Sequence, residues 1–181
     1  MLMDTPDETL AAAAATGDRD AFARLLARHY DRLFGLAYRL CGTRAEAQDL
    51  TQDICMALPA KLAGYRRQAR FTTWLYRVAV NAAHDRRRRA AVRARAGDGW
   101  GDWEVARQAT MAVDAQAQGW LAETMRNLPP ELRDTVALTL GEELSQADAA
   151  EALGISEGTV AWRMSEVKKR LRTMAQAEGM L

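Results

Sequence analysis

The sequence predicts an all-α protein with two small helical domains joined by a flexible linker. In most segments the apolar residues recur at intervals of three and four, which is the spacing of one helix face. Residues 96–104 interrupt this pattern with three glycines and alternating acids, which indicates a connection between two folded parts. Residues 144–171 match two short helices joined by a tight turn. These features predict a lead-in at 1–16, a first domain at 17–95, a linker at 96–114 and a second domain at 115–177.

The N-terminal segment leads into a long amphipathic helix. Residues 1–16 are acidic and then alanine-rich, so we expect only a loose helical lead-in there. Asp18 or Asp20 is suited to cap a helix over residues 19–40, because a carboxylate accepts hydrogen bonds from the free amides at a helix start. Gly42 is expected to end this helix.

The next helix begins at a capping box formed by Thr43 and Glu46. Leu50 lies on its apolar side. Its polar side presents Asp49, Gln52 and Asp53. Such a face is either a contact for a partner or ordinary helix-surface polarity. Pro59 comes late in the helix and is expected to bend or end it.

Residues 71–89 predict a further helix, which Thr72 or Thr73 is suited to cap. One face is apolar, and aromatic side chains stand near its start at Phe71, Trp74 and Tyr76. The other face carries Arg77, Asn81, Asp85, Arg86, Arg87, Arg88 and Arg89. Rings stack on unstacked bases, an amide reads a base edge and arginines hold phosphates, so this combination favours nucleic-acid binding. The alternative, a core helix with a solvated basic face, is disfavoured because Asp85 is the one acid near the arginine run in the sequence.

Charge is segregated along the chain, although the formal net charge is only +1. Residues 61–95 contain eleven lysines and arginines but one acid, whereas residues 98–157 contain twelve acids and three arginines. The basic segment indicates a polyanionic partner. The acidic segment indicates a different partner or self-masking.

The sequence shows no constellation suited to catalysis or to metal binding. Cys41 and Cys55 lack the close spacing of a zinc site, and His29 and His84 are isolated. There is no nucleophile–base pair and no phosphate-binding loop, so we expect neither enzymatic activity nor a cofactor. No signal sequence or membrane-spanning run is present, so we expect a cytoplasmic protein without membrane insertion.

The linker contains Trp100 and Trp103, which could dock onto a domain or a partner. An acidic, alanine-rich helix is expected over residues 105–127. Leu-Pro-Pro-Glu at 128–131 then predicts a new helix start, because proline suits the first turn and an acid suits the positive end of the helix dipole.

The two short helices near the C-terminus have the pattern of a helix-turn-helix. Ser145 caps the first helix, Gly154 permits the turn and Ser156 caps the second. The inner face of the second helix is expected to consist of Val160, Met164, Val167 and Leu171. It is expected to lie in the major groove of DNA, with a generic helical hairpin as the alternative. Its groove-facing side consists of Glu157, Gly158, Ala161, Trp162 and Ser165, with Thr159, Arg163, Lys168 and Lys169 beside them.

Taken in order, these segments resemble the extracytoplasmic-function (group IV) sigma factors of bacterial RNA polymerase over residues 17–175. Residues 47–54 are similar to their region 2.2, and residues 71–88 to regions 2.3 and 2.4. Residues 128–131 and the helix-turn-helix are similar to region 4. The short linker also matches, because this group lacks the third domain of larger sigma factors.

The resemblance implies an alternative sigma factor that binds core RNA polymerase, recognises minus-ten and minus-thirty-five promoter elements and initiates transcription. The polymerase contacts would come from Asp49, Leu50, Gln52 and Asp53. The minus-ten contacts would come from Phe71, Trp74, Arg77, Asn81, Asp85, Arg86, Arg87 and Arg88. The minus-thirty-five contacts would come from Glu157, Thr159, Ala161, Trp162, Arg163, Ser165, Lys168 and Lys169. An anti-sigma factor as a partner and a monomeric free state are also expected.

The recognition helix departs from the family pattern. Ala161 and Trp162 follow Gly-Thr-Val where a basic residue is frequent, and Glu166 stands at another often basic position. The resemblance therefore implies no particular promoter sequence.

Two other classes of function remain open at this point. A stand-alone helix-turn-helix regulator accounts for residues 128–171 but leaves the helix over 71–89 without a role. Such a regulator binds duplex DNA alone, usually as a symmetric dimer, whereas a sigma factor acts through polymerase. A protein that binds only other proteins, such as an anti-sigma factor, is at odds with the arginine run.

Overall fold

The computed structural model describes residues 5–95, 125 and 127–177. In the first of these ranges the chain forms α1 (Asp7–Ala15), α2 (Arg19–Cys41), α3 (Arg44–Leu62) and α4 (Phe71–Arg95). In the last it forms α5 (Pro130–Val136), which continues through a π-helical turn (Ala137–Gly141), then α6 (Gln146–Leu153) and α7 (Glu157–Ala177). The all-α prediction is confirmed.

The lead-in is a packed helix rather than a loose one. Leu10, Ala11 and Ala14 of α1 are buried against the following helices. The Asp7 carboxylate lies 2.8 Å from Arg28 Nη1 and 2.7 Å from His29 Nε2, both on α2. Burial raises the pKa of Asp7, but these hydrogen bonds and charges outweigh burial and the pKa is lowered. The expectation of a loose segment was wrong because alanine packs closely while giving little amphipathic signal.

The local signals at the ends of α2 and α3 are confirmed. Asp18 caps α2 by accepting hydrogen bonds from the amides of Asp20 and Ala21, and Gly42 ends it with a φ of 91°. The Thr43 hydroxyl accepts the Glu46 amide at the start of α3. Pro59 does not end α3, which continues to Leu62.

Helix α4 begins earlier than its predicted cap allows. Its first residue is Phe71, and Thr73 is buried inside the helix, so neither Thr72 nor Thr73 is the cap. The first amide, that of Phe71, instead donates to the Glu8 carboxylate of α1 at 3.4 Å. A residue more than sixty positions away therefore fills the place of a local cap.

The C-terminal part is a helix-turn-helix built on the predicted residues. Ser145 accepts the Asp148 amide at 3.1 Å, and Gly154 turns the chain with a φ of 67°. Ser156 accepts the Thr159 amide at 3.1 Å and so caps α7. On the inner face of α7, Val160 and Val167 are buried, while Met164 and Leu171 are half-buried against the apolar clusters.

The two predicted domains pack against each other. Helix α6 lies on α4, and α2 contacts the π-helical turn. One apolar cluster continues from Leu75 and Val80 of α4 to Leu138, Ala149 and Val160 of the C-terminal part. The sequence pattern predicted two units but not this shared core. The predicted linker, its two tryptophans and most of the helix expected over 105–127 lie outside the described residues.

Candidate nucleic-acid interface

A small surface pocket brings together three side chains that were predicted to meet DNA. Trp74, Arg77 and Asn81 lie one helical turn apart on α4 and line a pocket of about 240 Å³. Arg77 and Asn81 are exposed, and Trp74 is half-buried. The other wall is the α3–α4 loop, residues 63–70, which we call the pocket loop. It contributes Gly64, Tyr65, Arg66, Gln68 and Ala69 to the lining.

Phe71 does not share this exposed position. It is 1% exposed, so its side chain is not accessible to a promoter base in this structure. Its ring instead lies behind the pocket, with its centroid 5.7 Å from that of Trp74 and 5.3 Å from that of His29. Packed rings at these separations attract one another, so Phe71 supports the orientation of Trp74.

Tyr65 is a pocket residue that the sequence reasoning missed. Its ring centroid lies 5.1 Å from that of Trp74, and its hydroxyl donates to the Ala69 carbonyl at 2.9 Å. Burial raises the pKa of Tyr65, and the nearby Glu8 carboxylate raises it further, which keeps the hydroxyl protonated as a donor. The sequence feature that could have indicated this role is an aromatic residue within a basic loop.

The arginine run has acidic partners, contrary to the expectation from the sequence. Arg86 Nη1 lies 2.8 Å from Asp53 of α3, and Arg88 pairs with Asp85 at 3.1 Å. Arg87 pairs with Asp134 of α5. Two of these three acids come from other helices, so neighbours in the sequence could not reveal them. Arg89 and Arg93 remain exposed beside the paired side chains.

The predicted polymerase face is exposed except at one position. The side chains of Asp49 and Asp53 are 67% and 56% exposed, and Gln52 is exposed between them. Leu50 is fully buried in the core, so its side chain is not accessible to polymerase in this structure. Its apolar side chain faces the opposite side of α3, as the helical period requires.

The predicted recognition helix presents most of its expected residues to solvent. Trp162 is 64% exposed. Glu157, Ala161, Ser165, Lys168 and Lys169 are also exposed. Arg163 is half-buried, and its Nη1 donates to the Glu131 carbonyl at 3.3 Å, so this guanidinium points back to α5. Thr159 is half-buried beside Ser156, with their hydroxyls 2.9 Å apart.

Comparison with known proteins identifies the family. Residues 25–93 match the family model for Sigma-70 region 2, and residues 118–171 match that for Sigma-70, region 4. The chain is 34% identical over 167 residues to the ECF RNA polymerase sigma factor SigM of Mycobacterium tuberculosis, with coverage of 91% of this chain and 82% of that protein. The chain belongs to the extracytoplasmic-function (ECF) sigma factors.

Further relatives agree with this assignment. ECF RNA polymerase sigma factor SigW of Bacillus subtilis is 30% identical over 172 residues, with coverage of 86% of this chain and 89% of that protein. The solved structure of CnrH in complex with the cytosolic domain of CnrY has a TM-score of 0.68 at 30% identity, and the alignment covers 94% of this chain and 97% of that one. The sigma factor RpoE of Bartonella quintana, solved with the anti-sigma factor NepR, shares the fold with a TM-score of 0.69 at 21% identity, over 86% and 96% of the two chains.

As a sigma factor, the protein binds core RNA polymerase, recognises promoter DNA and initiates transcription. A stand-alone helix-turn-helix regulator does not account for the match over region 2. No helix within the described ranges combines the length and apolarity needed to cross a membrane.

In this ECF sigma factor, region 4 is held onto region 2 by a buried carboxylate. Asp134 of α5 is 1% exposed, and its Oδ2 lies 2.5 Å from Arg87 Nη2 and 2.8 Å from His84 Nε2, both on α4. Burial raises the pKa of Asp134, but hydrogen bonds and positive charge from His84 and Arg87 outweigh burial and hold the pKa below 3.8. The resulting stabilisation is present above the unfolded value of 3.8 and is lost as the pH falls through the lowered pKa.

A second carboxylate joins the same two regions. The Glu142 side chain is 5% exposed, accepts a hydrogen bond from the Tyr76 hydroxyl at 2.6 Å and pairs with Arg39. Burial raises the pKa of Tyr76, and Glu142 raises it further. Gly141 permits this contact, because a Cβ there would collide with the Arg39 side chain. Glu151 of α6 also lines the pocket of Trp74, Arg77 and Asn81, so region 4 contributes to this surface of region 2.

Replacing Asp134 by alanine is expected to weaken the contact between region 4 and region 2. The substitution removes the acceptor of two charge-assisted hydrogen bonds, which should lower the free energy of unfolding by about 1–3 kcal/mol. Small-angle X-ray scattering of the free protein should show a larger radius of gyration, and thermal unfolding should report the loss of stability.

Asp85→Ala is the matched control, because it removes an acid that pairs with Arg88 within α4 on the surface. That substitution should cost about 0.5 kcal/mol or less and leave the radius of gyration unchanged. Equal scattering by both variants and the unsubstituted protein would show that Asp134 does not hold the regions together.

Proposed function

We propose that the pocket formed by Trp74, Arg77 and Asn81 receives one unstacked base of the minus-ten element during promoter opening. One observation carries this proposal. An aromatic ring, a cation and an amide, each one helical turn from the next on α4, line the same surface pocket. The ring offers a stacking face, the amide can hydrogen-bond a base edge, and Arg77 can hold the adjoining phosphate. The exposed arginines beyond Asn81 extend a cationic path for the strand backbone.

The second DNA contact in the proposal is α7 in the major groove of the minus-thirty-five element. Its exposed Trp162, Ala161 and Ser165 stand toward the groove, while Lys168 and Lys169 lie at the phosphate backbone. Phosphate contacts position a protein without reading sequence, so base preference is assigned to the former group. Because Arg163 points to α5, its role in base reading is secondary in this arrangement.

The third contact is between core polymerase and the exposed face of α3 that carries Asp49, Gln52 and Asp53. These side chains project from a helix whose other face is fixed in the core, so a partner meets them on a rigid surface. On this view the chain contributes binding energy, while polymerase performs the chemistry. The proposed location is the cytoplasm, where polymerase and promoter DNA are found.

An anti-sigma factor is a further proposed partner. CnrH was solved in complex with the cytosolic domain of CnrY, and the RpoE relative with the anti-sigma factor NepR. A thiol switch within this chain is less suited to regulation, because burial raises the pKa of Cys41 to about 12 and also raises that of Cys55. A protein that co-purifies with the chain and competes with core polymerase would identify this partner.

The polymerase face can be tested by charge reversal. The double substitution Asp49→Arg and Asp53→Arg should abolish co-purification with core polymerase, while thermal unfolding changes by less than about 1 kcal/mol because both side chains are on the surface. A control with the same charge change, Asp31→Arg with Glu143→Arg, should retain binding.

Arg86 provides a second control, since the double substitution also removes its partners Asp49 and Asp53. Adding Arg86→Asp restores the electrostatic attraction between α3 and α4, but it does not restore the acidic side chains proposed to contact polymerase. If the triple variant bound core polymerase normally, the effect would belong to the ion pair rather than to a polymerase contact.

The base pocket can be tested with Asn81→Ala. Losing one amide–base interaction should weaken open-complex formation by about 1–3 kcal/mol. The loss should be greater on duplex promoter than on a promoter already melted at the minus-ten element, because only the duplex must be opened. Asn127→Ala, an exposed asparagine outside the pocket, should have no effect on either template. Equal loss on both templates would contradict a role in melting.

The recognition helix can be tested by substituting separately a residue proposed to contact phosphates and a residue proposed to read bases. Lys169→Ala should weaken binding to all promoters alike and reduce the slope of log affinity against log salt by about one. Trp162→Ala should change preference at one minus-thirty-five position, as measured by selection from a randomised element, and Arg163→Ala serves as the comparison. Unchanged preference in both variants would mean that α7 reads mainly DNA shape and backbone.

A further inference from the structure

Glu8 of α1 contacts the two segments whose other residues line the base pocket, that is, the pocket of Trp74, Arg77 and Asn81. Its backbone carbonyl accepts a hydrogen bond from Arg67 Nη2 at 3.1 Å, and Arg67 lies in the pocket loop. Its carboxylate accepts the Phe71 amide at 3.4 Å, which is the first amide of α4. One residue therefore joins the loop that forms one wall to the helix that forms the other.

Both contact points need such support. Arg67 has a φ of 56°, a left-handed conformation that costs energy in a residue with a side chain and persists only where surrounding structure holds it. The Phe71 amide stands at the start of α4, where amides have no hydrogen-bond partner within the helix. A carboxylate at this end also complements the positive end of the helix dipole.

Glu8 is in turn held in place by its neighbours. The preceding residue, Asp7, bonds Arg28 and His29, and Leu10 is buried two residues further on. The His29 ring centroid lies 5.3 Å from that of Phe71, so α1 and α2 both contact Phe71. Residues 7–15 lie outside the region 2 match, which begins at residue 25.

From these contacts we infer that Glu8 is a positioning residue for base reading, which fixes the pocket loop and the first turn of α4 around Trp74 and Asn81. This inference rests on the proposed function of the pocket. Glu8 touches no DNA itself. It acts through the placement of Tyr65 in the pocket loop and Trp74 in α4, whose ring centroids lie 5.1 Å apart.

The test uses holoenzyme reconstituted from core polymerase and full-length variants, with a fluorescent single strand of the minus-ten element as the probe. Glu8→Ala should raise the Kd for this strand about fivefold, the ratio that follows from losing one capping hydrogen bond. Glu8→Gln should bind like the unsubstituted protein, because its amide oxygen still accepts the Phe71 amide. Thr9→Ala, an exposed neighbour on α1, is the matched control and should have no effect.

Two further measurements separate positioning from general damage. Binding to duplex DNA that carries only the minus-thirty-five element should be the same for all variants, and an equal loss there would overturn the inference. Glu8→Asp keeps the negative charge, but its shorter side chain withdraws the acceptor from the Phe71 amide. If Glu8→Ala does not fold, Glu8→Asp should therefore show the weakened strand binding, together with faster hydrogen exchange at the Phe71 amide. Unchanged exchange and unchanged Kd in Glu8→Asp would overturn the inference.

Asn81→Ala in the same assay distinguishes failure of the inference from failure of the proposed function. If Asn81→Ala weakens strand binding and neither Glu8→Ala nor Glu8→Asp does, only the role of Glu8 is wrong. If Asn81→Ala has no effect, the pocket does not read a base and both proposals fail.

Discussion

The arrangement of the molecule depends on burying the Asp134 carboxylate between the Arg87 guanidinium and the His84 imidazole of α4. A buried carboxylate without partners would be strongly destabilising, so region 4 can occupy this position only where His84 and Arg87 meet it. Glu142 repeats the arrangement at the other end of the contact, with Tyr76 and Arg39. Both carboxylates come from region 4, and all four partners come from region 2. Acids of the segment 98–157 therefore neutralise part of the positive charge of the segment 61–95.

Helix α4 serves three purposes with three faces. Leu75, Ala79 and Val80 are buried in the shared core, and Tyr76, His84 and Arg87 hold region 4. The remaining face carries Trp74, Arg77 and Asn81. Because all three faces belong to one rigid helix, any change that shifts its first turn is transmitted to the base pocket. This rigidity is the physical basis for the proposed effect of the α1 contacts on DNA reading.

Features encoded by neighbouring residues could be predicted from the sequence, and features formed between distant residues could not. Asp18, Thr43, Gly154 and the inner face of α7 were predicted correctly, since caps, turns and helical faces depend on residues within a few positions. The partners of Arg86 and Arg87 could not be predicted, because Asp53 and Asp134 approach them only in the folded chain. Phe71 and Leu50 belong to family motifs and yet are buried, because such motifs contain core residues as well as contact residues.

Opening the two regions is less costly than the strength of the Asp134 contact suggests. Arg87 is 29% exposed and His84 is 48% exposed, so both regain water readily when region 4 leaves. Arg87 also belongs to the arginine run proposed to follow the DNA strand, where a phosphate would replace the carboxylate as its anion. The cation thereby exchanges one partner for another, while Asp134 passes from burial into solvent, where an ionised carboxylate is well hydrated. The recognition helix is already exposed while the regions are in contact, whereas Glu151 lines the base pocket, so in the proposed function separation of the regions matters most for the minus-ten contact.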